Sequence, residues 1–285
     1  CALSPSTCAI TCSTARFARP PSGGADTWCT ATAVKSANRS AVMTAAHCVR
    51  RGSSPVNTNI DMVFVPGYHK GKAPHGVFPV RQAITPRAWE TDSTDDMATL
   101  VVAPDRYGKK LTDVVGARAV AFDRPVGGTV SALGYSATRP QRGESLLRCV
   151  GTAKKEHGTQ VIPCDMSGGS SGGPWFADFD ASTGRGTLIS VNSALDSLEP
   201  TKMYGEVFGS LAKKVYDRAQ LIELYWSIGK IILERQEVES WGSGVIGRLA
   251  TMGYKLYATE GTASMTSVNP RSRLRPWRTL SPSSR

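Results

Sequence analysis

Between Trp28 and about Ile189 the apolar positions come in short runs of small, β-branched and aliphatic residues, separated by Gly, Pro, Asn and Asp. TATAV (30–34), SAVMTAA (40–46), MVFVPG (62–67), ATLVVA (98–103), TVSALGY (129–135) and TLISVNS (187–193) read as strands, because such residues fit a pleated, packed surface. Short strands with turn residues between them predict an all-β sandwich or barrel. The period changes after Phe208. In FGSLAKKVYDRAQ (208–220), Leu211, Val215 and Ala219 share one helical face, and the spacing continues through Leu224, Ile228, Ile231 and Ile232. A helix running on to about Glu239 is predicted. Residues 1–24, rich in Ser, Thr, Ala and Pro without a period, read as a loose leader. Residues 269–285, mostly Pro, Ser and Arg, read as disordered.

Composition changes this picture little. The 285 residues, 40% hydrophobic and 20% charged, are enough for one large domain or two modest ones. No apolar run is long enough to span a bilayer, so no membrane partner is expected. The net charge of +11 is spread along the chain, apart from Arg271, Arg273, Arg275 and Arg278 in the tail. Without interleaved basic and aromatic residues, this reads as surface charge, and no nucleic acid is expected. The chain begins at Cys1, which suggests a processed product or a fragment. Seven cysteines with no Cys-x-x-Cys pair argue against zinc and for an oxidising compartment, with at least one thiol left over. His69, His75 and His157 lack metal-ligand spacing, so they read as loop residues, and neither metal nor cofactor is expected.

Three stretches carry candidate chemistry: MTAAHCV (43–49), DDMATLVV (95–102) and MSGGSSGGPW (166–175). Each alone is ordinary, as a packed histidine, a turn aspartate and a linker. In this order, TAAHC (44–48), DMATL (96–100) and GSSGGP (169–174) resemble the motifs of trypsin-like (chymotrypsin-fold) serine proteases. The likeness covers roughly residues 25–219 and extends to bacterial secreted members, including the glutamyl-endopeptidase group. It implies two six-stranded antiparallel β-barrels with a C-terminal helix. It also implies a secreted, monomeric serine endopeptidase that acts on proteins or peptides through an acyl-enzyme. The catalytic residues would be His47, Asp96 and Ser171. A serine hydroxyl is a weak nucleophile until a base takes its proton, and the base needs a carboxylate to fix its tautomer. Asp95 lies one position off, where alternation turns it away, so Asp96 is the candidate. The glycines allow the N–H groups of Gly169 and Ser171 to converge on an oxyanion.

The same resemblance implies two disulfides, Cys29–Cys48 and Cys149–Cys164. Each closes a loop of about 15 to 20 residues, worth about 3 kcal/mol in the chain-entropy model. Cys1, Cys8 and Cys12 are left unassigned. Ser170 replaces the aspartate that animal digestive members pair with a new N-terminus, so the site needs no such ion pair. Asp165, six residues before Ser171, occupies the place of the pocket acid in Arg/Lys-selective members, where a buried carboxylate would pair with a cation. The wall segment is expected at Ser190, Val191 and Asn192, where a substrate would add as a strand. Asn192 stands where tryptic members carry glycine and glutamyl endopeptidases histidine.

After Ala219 the resemblance ends. Residues 224–250 look like part of a helical region from a nuclease-associated domain, and 252–264 like a strand and turn of methylglyoxal-synthase-like domains. Each is too short to bury a core, so 220–285 reads as a helical, then disordered, tail. Two rival readings stay open: a catalytically silent trypsin-like binding module, and a nucleic-acid-associated protein acting through the basic tail.

Overall fold

A computed structural model describes residues 14–18, 28–49, 62–137, 140, 142–239 and 263–267. The first barrel is built from β1 (Thr14–Ala18), β2 (Trp28–Ala33), β3 (Ala41–Thr44), β4 (Val63–Pro66), β5 (Phe78–Pro86) and β6 (Ala98–Val102). They pair antiparallel in the order β5-β4-β1-β2-β3-β6, and β6 returns to β5, so the ring closes without a free edge. Alternation decides which face is which. Val42, Ala98, Leu100 and Val102 point into the barrel with Phe64, Phe78 and Val80. Their neighbours Ala41, Met43 and Val101 face outward into a second apolar cluster. These strands are therefore buried on both faces, and AVMT shows no polar side. The loose-leader expectation is corrected for Thr14–Ala18: this segment is β1, hydrogen-bonded to β2 on one side and β4 on the other. Without it the ring would carry two open edges. Among the described residues, three short helices, α1 (Ala46–Val49), α2 (Arg87–Asp92) and α3 (Leu111–Val115), lie in the connections.

The second sheet contains β7 (Ala119–Val120), β8 (Thr129–Gly134), β9 (Leu147–Thr152), β10 (Lys154–Glu156), β11 (Thr159–Pro163), β12 (Pro174–Asp180), β13 (Arg185–Leu195) and β14 (Lys202–Gly205). Its order is β10-β11-β14-β13-β12-β8-β9, with β7 beside β13. It curls until β9 meets β11. A side chain at Gly151 would lie 3.2 Å from Ile162 Cβ, and Cys149–Cys164 staples the same seam. Trp175, Ile162, Met203 and Val130 fill the interior. Both sheets are thus barrel-like, as expected, although the second has eight strands and the first gains β15 (Ala263–Ser267) alongside β5.

Between the barrels, Met43, Val101 and Ile84 from the first pack with Leu133, Phe176, Leu188 and Val191 from the second. The helix α4 (Ser210–Glu239) covers this seam with Ala212, Val215, Ala219 and Ile222. Fully burying a side chain such as Val215 or Ile222 is worth about 2 kcal/mol. The helix runs unbroken past Ala219, and Ile222 is buried in the core, so the end of the family resemblance is not a structural boundary. Further along, Leu224, Tyr225, Ile228 and Ile231 are exposed, and the Arg81 guanidinium lies 5.0 Å over the Trp226 ring. Among the described residues no helix is long and apolar enough to cross a membrane. Cys1, Cys8, Cys12 and residues 269–285 lie outside the described residues.

Candidate active site

β3 delivers the chain into α1, and α1 presents His47 at the seam between the barrels. The approach to β6 supplies Asp96, which is buried and accepts three hydrogen bonds. Its Oδ2 accepts from His47 Nδ1 at 2.7 Å and from the Ser193 hydroxyl at 2.6 Å, and its Oδ1 accepts from the His47 backbone N–H at 2.9 Å. A carboxylate held this way fixes the imidazole in the tautomer that leaves Nε2 free to accept a proton. Asp95 is instead turned into a left-handed conformation at φ 57°, which separates the two neighbours. The Trp89 ring of α2 stands 6.4 Å from the His47 ring.

The loop 166–173 comes from the second barrel and docks on the first. Thr30 of β2 donates its N–H to the Ser171 carbonyl at 2.8 Å and its hydroxyl to the Gly169 carbonyl at 2.9 Å. Cys29, the next residue back, is disulfide-bonded to Cys48, which follows His47. One strand thereby ties the Ser171 loop and the His47 helix together. The two sulfurs and a His47 ring nitrogen lie within 4.8 Å of one another. Because the sulfurs are already joined to each other, this cluster offers no thiolate ligands for a metal.

Glycine is required where the loop meets its bed. Gly172 has φ 76°, and a Cβ there would fall 2.0 Å from Thr44 Oγ1 and 2.5 Å from the Thr30 carbonyl oxygen. Gly169 has φ 87°, and its Cβ would fall 2.4 Å from Trp28 Nε1. Among the described residues, no backbone carbonyl accepts from the N–H of Gly169 or of Ser171. Both donors of the expected anion hole are left uncommitted by the main chain.

Two expectations are revised. Ser190, Val191 and Asn192 are buried; Trp175, Pro174 and Gly172–Gly173 lie along one edge of β13 there, and Gly205 and Glu206 along the other. No substrate strand can add at those three residues. Asn192 serves the loop instead. Its Nδ2 donates to the Ser170 carbonyl at 2.9 Å and to the Leu133 carbonyl at 3.1 Å, and its Oδ1 accepts from Trp175 Nε1 at 2.6 Å. Its main chain exchanges two further bonds with Gly172 and Gly173. The β12 pairing stops at Val191, so among the described residues the edge without a strand on that side is Ser193–Leu195. Asp165 is exposed rather than buried, and solvent screens a charge placed there.

Two residues beside Asp96 carry no signal in the sequence pattern. Ser193 is one, through its bond to Asp96. Glu206 is the other: its Oε2 accepts the Asp96 N–H at 2.9 Å and its Oε1 accepts the Val207 N–H at 3.2 Å. Burial pushes the Glu206 carboxyl up to about 7, with the nearby Asp95 and Asp96 charges adding to the effect. Beyond Leu195, the Tyr204 phenol bonds both Glu156 and Asp196, and the bond to Glu156 chiefly pushes it up to about 12.

A family model for the trypsin-like peptidase domain matches residues 29–183. Protease Anisep from Arthrobacter nicotinovorans shares 35% identity over 75% of this chain and 97% of its own, with a TM-score of 0.68. The thermostable serine protease AL20, from an extremophilic microorganism, also shares 35%, over 75% of this chain and 99% of its own, at 0.67. A Glu endopeptidase solved with MPD has the same fold at 16% identity, covering 77% of this chain and 95% of its own, with a TM-score of 0.60. A search of curated proteins found no match.

Proposed function

The chain belongs to the trypsin-like peptidase family, and from that premise we propose that it is a secreted serine endopeptidase whose triad is His47, Asp96 and Ser171. The observation that carries the reading is the grip of Asp96 on His47, with one oxygen on Nδ1 at 2.7 Å and the other on the backbone N–H at 2.9 Å. With Nδ1 committed, Nε2 takes the proton of Ser171 as Oγ bonds to the scissile carbonyl carbon. The carbonyl oxygen becomes an oxyanion that the Gly169 and Ser171 N–H groups stabilise. The C–N bond breaks as His47 returns the proton to the leaving amine. Water then repeats the sequence on the acyl-enzyme, with His47 again as base, and releases the acid.

The substrate main chain would add along Ser193–Leu195, where β13 has no partner on the β12 side. Exposure of Asp165 favours weak selection at the primary pocket over a strong preference for basic side chains. Export is supported by the two disulfides, Cys29–Cys48 and Cys149–Cys164, which persist in oxidising surroundings.

A fluorophosphonate probe tests this reading. Label should map to Ser171 and vanish in Ser171→Ala, together with hydrolysis of a fluorescent casein. A folded protein that neither labels nor cleaves would be a silent module, and the proposal would fail.

A further inference from the structure

We propose that Glu206 is a positioning residue of the triad, whose buried carboxylate captures the Asp96 backbone N–H and so aims the Asp96 side chain at His47. The inference rests on the serine-protease reading above. The turn that carries Asp96 is strained: Asp95 sits at φ 57°, and the Met97 N–H reaches back to the Asp95 carbonyl at 2.7 Å. Such a turn persists only when its surroundings over-determine it. The Asp96 side chain is fixed by His47 and Ser193, and its backbone N–H is held by Glu206 Oε2.

Glu206 is itself anchored on several sides. Its carbonyl accepts from the Ser190 hydroxyl at 2.6 Å and from Gln160 Nε2 at 3.1 Å, and its Oε1 accepts from Val207 N–H. β11 and β13 of the second barrel therefore hold the segment that reaches across the seam to the first. The charged groups facing the carboxylate are Asp95 and Asp96 on the strained turn, while Gln160 and Ser190 are neutral. No cation compensates it among these neighbours. Once ionised, Glu206 places a second negative charge behind Asp96.

Kinetics and a ring titration test the proposal together. Glu206→Ala should lower kcat by about ten- to hundred-fold, the usual consequence of misaligned catalytic groups, with KM within about two-fold. Glu206→Gln keeps an acceptor oxygen for Asp96 N–H and should restore kcat to within a few-fold. It should also move the acid limb of kcat/KM, and the His47 ring titration followed by 15N NMR, to lower pH by a few tenths of a unit. The NMR readout needs no turnover, so it separates this inference from the peptidase reading. A protein with no activity whose His47 titration still moves on Glu206→Gln keeps the positioning role and loses the protease. Should Glu206→Ala not fold, the Gln variant decides. Unchanged kcat in folded Glu206→Ala, or an unmoved His47 titration in Glu206→Gln, overturns the proposal.

Discussion

Replacing Glu206 by Gln should change how stability depends on pH, and the size follows from the burial of the carboxyl. Its ordinary value of 4.5 is raised in the folded protein to about 7. Below pH 4.5 both folded and unfolded chains carry the proton, and the residue contributes no difference. Between 4.5 and 7 the unfolded chain releases its proton and the folded chain keeps it, so stability falls as pH rises. Above about 7 the full loss persists. At 1.36 kcal/mol for each unit of difference, the loss is about 3 kcal/mol. Glutamine never ionises, so the stability of Glu206→Gln relative to Glu206 should grow by that amount between pH 4.5 and 8. Urea melts in a Ser171→Ala background, which prevents self-cleavage, would read this as a relative displacement of the midpoint by about 1 M. The other ionisable groups are common to both proteins and cancel in the difference. A difference that stays constant from pH 4.5 to 8 would refute the reasoning, because Glu206 would then ionise equally in both states.

Asn192→Ala should cost about 2–4 kcal/mol, since it strands the buried Ser170 and Leu133 carbonyls and the Trp175 indole N–H; thermal unfolding checks this, with a loss of kcat as the loop relaxes. Gly172→Ala combines a left-handed φ with backbone contacts inside 3.0 Å, so it should yield little folded protein, and its folded fraction should not label with fluorophosphonate. Removing Cys149–Cys164 in a double serine variant opens a loop of 15 residues, and should cost about 3 kcal/mol in unfolding free energy. Asp165→Ser should leave the cleavage profile of a mixed peptide library unchanged within about two-fold, while a lost preference for Arg or Lys would return Asp165 to the pocket.

The strands that the sequence makes legible are those with unbroken apolar runs, such as ATLVVA, which becomes β6. β5 is less legible because Pro79 and Pro86 sit inside a segment that pairs on both sides, and proline normally argues against such a strand. β1 is hidden in a leader without a period because only its pairing with β2 and β4 makes it a strand. The proposed triad is drawn from local motifs, since each member sits in a short run with its own steric demands. The proposed substrate edge is not. A register shift between Asn192 and Ala194 breaks the alternation of β13, so it is Ser193 that meets Asp96, while Ser190 turns to Glu206. A single bulge moves every inward position, and nothing in SVNS announces it. Glu206 is equally silent in sequence, because a glutamate between Gly205 and Val207 normally faces water.

The seam between the barrels has a further meaning for the life of the chain. His47 and Asp96 belong to the first barrel, whereas Ser171, Ser193 and Glu206 come from the second; across the gap Ser193 and Glu206 bond Asp96, and the Ser171 carbonyl accepts from Thr30. On the serine-protease reading, a chain that has made β2 to β6 but not the second barrel would hold the proposed base and its acid with nothing to activate. Cutting power would arrive only once the second barrel has folded and docked, so the unfinished chain would be harmless to itself and to its neighbours until that step.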